Sequence, residues 1–386
     1  MDFSLTSEQQ MIRDTYARFC ERELTPEYVR WLDENCDWLP QDKFDQFAAL
    51  GTCGLTVPEE YGGQGLGTVE LCLVMEEIAR RCVAAAFCVG MAQGFGGVPI
   101  RELGTPAQKD RYLPRIARGE LNWSLALTEP SGGTDVLGAI RTTAVRRGDR
   151  YLVNGSKQWI SGAHKADYLT AVVITDPSAP RKKGLSTLII DARSPGVTIR
   201  QIPKLGIHGC ATNAIFFDNV EVPLENLLGT EHNGWYELLR VLNPERISTS
   251  VFSLGIAQAA FDYALAYAKE RQAFGRPIGG FQILQHYLAD IAIEIEMARN
   301  LVYKCAWLAD QRLPYHVEVA MAKVAACRAS ELAARHGMEI LGGYGFAMEY
   351  DMQRHFRDYK QMMFSPISDE MAKNMIAESF GLPRSF

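Results

Sequence analysis

Apolar residues recur at helical spacing from the start of the chain to about residue 120, and Met11, Ile12, Tyr16 and Phe19 mark the first stripe. Thr6 or Ser7 stands before it with Glu8 and Gln9 in the first turn, the signature of a capped helix start. Breaks at Pro40, at Pro58, at the Glu59-Glu60-Tyr61-Gly62-Gly63 turn and at Gly94, Gly96 and Gly97 divide this zone into several helices. From about residue 121 to 232 the spacing shortens to β-type runs at 151–154, 168–175, 185–190, 215–217 and 220–222. Turn pairs such as Gly148-Asp149, Asn154-Gly155, Pro195-Gly196 and Asp218-Asn219 separate them, which predicts a compact antiparallel sheet or barrel. Helical spacing returns from about 233. There Leu284, Leu288, Ile291, Ile295, Ala298, Val302 and Cys305 keep one apolar stripe for about six turns, as a long bundle helix does. The expected fold class is α+β and multi-domain: helical over 1–120, antiparallel β over 121–232, and a helical bundle over 233–386.

Composition sets limits on function. With 386 residues, 47% hydrophobic and 22% charged, the chain is rich enough in apolar residues for a sizeable core. The net charge of −6 argues against a nucleic-acid binder, which usually carries a basic excess. No apolar run reaches the roughly 18 residues that suggest a bilayer span. The first eight residues resemble neither a secretory signal nor an Arg-rich transit peptide. Nine cysteines lie singly, without a CxxC pair or other metal-ligand spacing, so reduced core thiols, a cytoplasmic setting and no metal are expected.

Three segments carry candidate chemistry. In Ala126-Leu127-Thr128-Glu129-Pro130-Ser131-Gly132-Gly133-Thr134-Asp135-Val136-Leu137-Gly138, paired glycines beside hydroxyl and carboxylate residues can offer backbone N–H groups to a ligand; the plain alternative is a tight loop entering the sheet. The loop lacks the strand–GxGxxG–helix setting of a dinucleotide site and the GK[ST] of a P-loop. In Glu339-Ile340-Leu341-Gly342-Gly343-Tyr344-Gly345-Phe346, three glycines follow a helical run, which suits close backbone approach or simply a helix C-cap. Between two helical stretches, Lys269-Glu270-Arg271-Gln272-Ala273-Phe274-Gly275-Arg276 with Phe281-Gln282 gathers cations fit for a phosphate, or forms a solvated turn.

Together, in this order and at this spacing, the three segments resemble the acyl-CoA dehydrogenase family of flavoenzymes. The loop at 126–138 matches the family's first signature and 339–358 its second. The resemblance runs from the Asp2-Phe3-Ser4-Leu5-Thr6 opening through Pro58-Glu59-Glu60-Tyr61-Gly62-Gly63 and Lys157-Gln158-Trp159-Ile160-Ser161. It implies an N-terminal helical domain, a middle β-domain and a C-terminal four-helix domain, in a homotetramer (a dimer of dimers) with FAD at subunit interfaces. It further implies a role in fatty acid metabolism: oxidation of an acyl-CoA thioester to a trans-2-enoyl-CoA, with electrons passed to electron-transfer flavoprotein. Betainyl-CoA reductase-like and acyl-CoA oxidase-like chemistry, or a catalytically silent FAD- or acyl-CoA-binding homologue, are the alternatives.

By position, the resemblance places Leu127 and Thr128 on one side of the flavin ring and Trp159 and Ser161 on the other, with Thr134 and Ser368 as further cofactor contacts. Arg271, Phe274 and Gln282 would meet the FAD phosphates and adenine from a neighbouring subunit, with Glu339, Gly342 and Gly343 beside them. Relatives more often have Gln at position 339. Thr134, Arg246 and Ser365 would meet substrate, Ser365 standing where a pocket-walling Tyr is usual.

Oxidation of an acyl thioester needs a base for the α-proton beside the hydride-accepting flavin. Most of the family places that Glu after the Arg-Asp-x-Lys segment, but here Arg357-Asp358-Tyr359-Lys360 leads to Pro366 at that position. A minority of relatives, including isovaleryl-CoA-type enzymes, carry the base on another helix before an Arg. That position is Glu245 in Pro244-Glu245-Arg246, and Glu245 is the candidate base. Read locally, Glu245 is also the sort of first-turn glutamate that follows a proline at a helix start. Asp369 and Glu370 are the fallback carboxylates. Pro366 also lacks the N–H with which the family grips the thioester carbonyl, so Ile367 or a shifted register must supply that donor, or the carbonyl is less polarised.

Overall fold

In the computed structural model, which describes residues 4–384, Thr6 caps the helix Ser7–Glu23. Its hydroxyl accepts from the Gln9 N–H while the Gln9 side chain takes the Thr6 N–H. Asp2 and Phe3 of the opening motif and the final Ser385-Phe386 lie outside the described residues.

Helices fill the chain up to Pro106–Ala117, and strands follow from Trp123. The strands are β1 (Trp123–Ala126), β2 (Thr143–Arg147), β3 (Arg150–Ser161), β4 (Tyr168–Ile174), β5 (Leu185–Asp191), β6 (Val197–Ile202), β7 (Thr212–Pro223) and β8 (Leu227–Leu228). They form one sheet in the order β6-β7-β3-β2-β4-β5-β8, with β1 alongside β4. The sheet is predominantly antiparallel, as the spacing predicts, with two parallel pairings: β1 runs parallel to β4, and β2 meets β4 through a parallel pair at Thr143 and Ile174. β1 enters straight from the N-terminal helices with no hairpin partner. It docks by burying Trp123, whose indole N–H donates to Thr170 Oγ1 at 2.9 Å.

Helix Gly234–Glu270 begins the C-terminal zone, followed by Gln282–Asp310, His316–Leu341, Met352–Phe364 and Asp369–Ser379. The helices at the two ends of the chain share one core, in which Phe47, Val74, Ile78, Leu254, Ile291, Val302 and Ala326 are all buried. Each of these Phe, Val, Ile and Leu side chains contributes roughly 1.5–3 kcal/mol on burial. Helix Thr68–Arg81 crosses Gly234–Glu270 so closely that a Cβ on Gly255 would lie 2.6 Å from that of Ala79. The sheet has its own core around Tyr151, Val153, Leu169, Leu188, Ile215 and Phe217.

Two helical stretches, Val83–Leu103 and Gly234–Glu270, are long and apolar enough to cross a membrane, and in the sequence Gln93 and several glycines interrupt the first. Most of each apolar window (72% and 61%) is buried inside the protein, as in core helices. All nine cysteines are unpaired, and only Cys36 is less than fully buried.

Candidate active site

A cleft of about 1370 Å³ opens where the three zones meet. One wall is the loop after β1. Glu129 in that loop accepts hydrogen bonds from the Arg141 and Thr142 N–H groups at 2.7 and 3.0 Å, folding residues 129–142 into a closed lobe. Its carboxylate also meets Lys157 Nζ at 2.9 Å, and the same ammonium donates to Leu127 O and Val172 O. Lys157 is wholly buried on β3, so one ion pair pins the lobe to the sheet. Burial pushes the Lys157 ammonium down to about 8, while Lys157 and the hydroxyl and N–H of Thr142 hold Glu129 below its ordinary value against its own burial. The pair is therefore ionised at neutral pH.

The Gln158 N–H donates to Thr128 O at 2.8 Å, completing the join. Just beyond it the β3–β7 register shifts between Lys157 and Ile160, and Trp159 takes φ 64°. This bulge swings the indole out of the sheet, leaving it 59% exposed along the cleft. Leu127, Thr128, Thr134 and Ser161 line the cleft with it. The Thr128, Thr134 and Ser161 hydroxyls and the Trp159 N–H have no hydrogen-bond partner among the described residues. A flat aromatic face with unsatisfied donors around it fits an isoalloxazine ring.

Glu245 and Arg246 line the cleft from helix Gly234–Glu270. Pro244 lies inside that helix, so Glu245 is not a first-turn glutamate, which corrects the local reading. A proline interior to a helix costs about 3 kcal/mol. Buried Leu238 before it, and Ile247, Val251 and Leu254 after it, carry the helix through. Burial pushes the Glu245 carboxyl up to about 7, against the pull of Arg246. Two other carboxylates line the cleft. Asp135 accepts from the Gly138 N–H, and Glu378 lies 3.5 Å from Arg384. Glu245 has no hydrogen bond or ion pair among the described residues. Arg246 donates to Asn243 Oδ1 at 2.7 Å, and burial lowers its pKa.

The turn at 364–368 forms another stretch of wall, with Ser365, Pro366, Ile367 and Ser368 all lining the cleft and the Ser365–Pro366 peptide cis. Ser368 caps helix Asp369–Ser379. The fallback carboxylates are placed elsewhere: Asp369 is buried against Lys323, and Glu370 is exposed on the first turn of its helix. Farther along, Phe87 and Phe252 pack with ring centroids 4.8 Å apart, and Met75, Gly90, Gly94 and Phe95 continue an apolar end of the cleft. Of the glycines at 94, 96 and 97, only Gly94 lines it; a Cβ on Gly96 would strike Trp123 at 2.6 Å.

Arg271, Phe274, Gln282, Glu339, Gly342 and Gly343 are not brought to this cleft. Arg271 lies over the Tyr344 ring at 5.3 Å, Phe274 is 94% exposed, and Glu339 contacts His336 Nδ1 at 2.7 Å. Gly342 and Gly343 face open space. The residues that sequence reasoning passed over are Glu129 and Lys157 as a pair, together with the walls Met75, Phe87 and Phe252. Both halves of the pair stood inside matched segments, but nothing in the sequence joined them.

Domain families described as acyl-CoA dehydrogenase N-terminal, middle and C-terminal domains match residues 6–120, 124–220 and 232–381. A probable acyl-CoA dehydrogenase of Bacillus subtilis strain 168 is 38% identical over 98% of this chain and 99% of its own. The structure of butyryl-CoA dehydrogenase from Megasphaera elsdenii superposes with a TM-score of 0.94 at 32% identity, over 99% of this chain and 100% of the other. A chain from a structural study of the electron transferring flavoprotein of Acidaminococcus fermentans gives a TM-score of 0.94 at 36% identity, over 98% and 99% of the two chains. With three domain matches end to end and that likeness of fold, the chain belongs to the acyl-CoA dehydrogenase family.

Proposed function

We propose that the protein is an FAD-dependent acyl-CoA dehydrogenase in which Glu245 removes the α-proton of the thioester. The observation that carries this reading is that Glu245 alone, of the carboxylates lining the cleft among the described residues, accepts no hydrogen bond and makes no ion pair. When bound, FAD supplies the acceptor for the β-hydrogen as hydride. The chain's own residues do the rest. Thr128, Thr134, Ser161 and the Trp159 face hold the ring, and the Glu129–Lys157 pair keeps their two walls in register. The apolar end near Phe87 and Phe252 takes the acyl group and excludes water, which keeps the Glu245 carboxyl a strong enough base.

Similarity to the protein from the flavoprotein study supports electron-transfer flavoprotein as the acceptor. A homotetramer is supported by the exposed Phe274, Tyr344 and Phe346 beside Arg271, a surface suited to an FAD held from a second subunit. Nine unpaired thiols support a cytoplasmic setting. The test of the reading is anaerobic: the yellow purified protein should bleach with acyl-CoA thioesters, then reoxidise rapidly with electron-transfer flavoprotein and slowly in air. A flavin that no acyl-CoA reduces contradicts it.

Two expected results follow from the geometry. Because the base works only as a carboxylate, the rate of flavin reduction should rise about tenfold per pH unit below about 7 and level off above it. Stopped-flow traces from pH 5.5 to 9 check this, and a flat profile would exclude a base with this pKa. Gly94 lines the cleft and a side chain there meets nothing within 4 Å, so Gly94→Leu should fill acyl space without disturbing the fold. Its kcat/KM for long or bulky acyl-CoA substrates should fall about tenfold or more, with butyryl-CoA little affected. An equal loss for all chain lengths would place Gly94 outside the acyl pocket.

A further inference from the structure

Lys323 is fully buried on helix His316–Leu341, and its ammonium has two partners. It donates to Met363 O at 2.9 Å, at the end of helix Met352–Phe364, and to the Asp369 carboxylate in the first turn of the next helix. Farther along His316–Leu341, the Cys327 thiol donates to Met362 O at 3.2 Å. These contacts grip both ends of the 364–368 turn, the stretch that puts Ser365, Pro366 and Ile367 on the cleft wall. Inside the turn there is little to hold it. Pro366 has no N–H, and the Ile367 N–H has no partner among the described residues. The Ser365 N–H belongs to the preceding helix, bonded to Gln361 O, and the Ser368 hydroxyl to the following one.

A buried ion pair contributes little net stability, since desolvation of both charges offsets their attraction, and apolar side chains of similar volume often serve as well. What an apolar pair cannot do is bond a helix-end carbonyl and a neighbouring carboxylate through one point. We propose that the Lys323–Asp369 pair is a positioning device for the reaction, a strap that fixes the 364–368 wall of the cleft against the substrate. This rests on the reading of the cleft as an acyl-CoA dehydrogenase site.

The test is the double variant Lys323→Met with Asp369→Leu in the holoenzyme. Removing both charges together should leave melting temperature and FAD content close to wild type. Flavin reduction by an acyl-CoA that bleaches the wild type should fall roughly tenfold to a hundredfold, the scale of an ångström-level misplacement. The fall should sit in the limiting reduction rate more than in substrate affinity, with the pH midpoint set by Glu245 unchanged. Hydrogen exchange across 364–371 should accelerate at least tenfold, a readout that needs no turnover. Lys323→Gln with Asp369→Asn, which keeps polar side chains of similar size and strands no buried charge, should show the same exchange change in milder form and serves if the first double variant does not fold. Wild-type exchange at 364–371 in whichever variant folds overturns the strap, and so does a wild-type reduction rate in the first double variant. Failure of the wild type to bleach overturns the parent reading instead, and the exchange measurement still decides the strap.

Discussion

Replacing Glu245 by Gln should leave FAD and acyl-CoA bound and slow flavin reduction by roughly 10²–10⁴-fold, the usual worth of a general base. The amide keeps the shape of the side chain but cannot take the α-proton. The other carboxylates lining the cleft among the described residues are engaged, Asp135 by the Gly138 N–H and Glu378 by Arg384, and the fallback Asp369 is tied to Lys323. The same variant carries a signature independent of catalysis. The folded-state pKa of Glu245 is raised from an ordinary 4.5 to about 7, so the folded protein binds this proton more tightly than the unfolded chain. Wild type therefore loses stability as pH rises from about 4.5 through about 7, and the neutral Gln does not. Glu245→Gln should be more stable than wild type at pH 8, by on the order of 2–3 kcal/mol, and should lose that advantage at pH 4.5. Melting curves at the two pH values check it; equal differences at both would mean that the carboxyl is not held in this desolvated state.

Lys157→Met should produce a protein that is destabilised and poorly loaded with flavin. It leaves the buried Glu129 carboxylate with backbone N–H donors but no cation, and breaking a buried pair from one side costs about 3–5 kcal/mol. The loss also frees Leu127 O and Val172 O from the ammonium, so the lobe carrying Thr128 and Thr134 is no longer pinned to the strand that bears Trp159. Adding Glu129→Gln to Lys157→Met should recover part of the stability, because the stranded charge is gone, without restoring wild-type FAD affinity. Flavin absorbance per protein and melting temperature decide it. A single variant as yellow and as stable as wild type would show that the pair has no part in shaping the flavin wall.

How far the sequence revealed all this depends on how local each signal is. The capped first helix and the long stripe from Leu284 to Cys305 are local patterns, and both appear as helices. Glu245 was legible only because Pro366 occupies the position where the family's usual base stands. Its setting was not: Pro244 reads locally as a helix start, and only packing on either side of it shows a helix interior. The parallel pairing of β1 with β4 likewise depends on residues far apart in sequence, beyond the reach of an alternation pattern. The same holds for Asp369, a fallback base until Lys323, 46 residues away, is found beside it. Trp159's positive φ and outward swing leave no mark in composition or periodicity.

Proton removal can be separated from flavin reduction by following deuterium wash-in at Cα of a 3-thia-acyl-CoA, an analogue with sulfur at the β-position and hence no β-hydrogen to surrender. In D₂O the wild-type holoenzyme should exchange the α-protons, with a rate that rises through about pH 7. Glu245→Gln should bind the analogue and exchange at least about a hundredfold more slowly. Wash-in at the wild-type rate in Glu245→Gln would contradict Glu245 as the base and move the search to another group in the cleft.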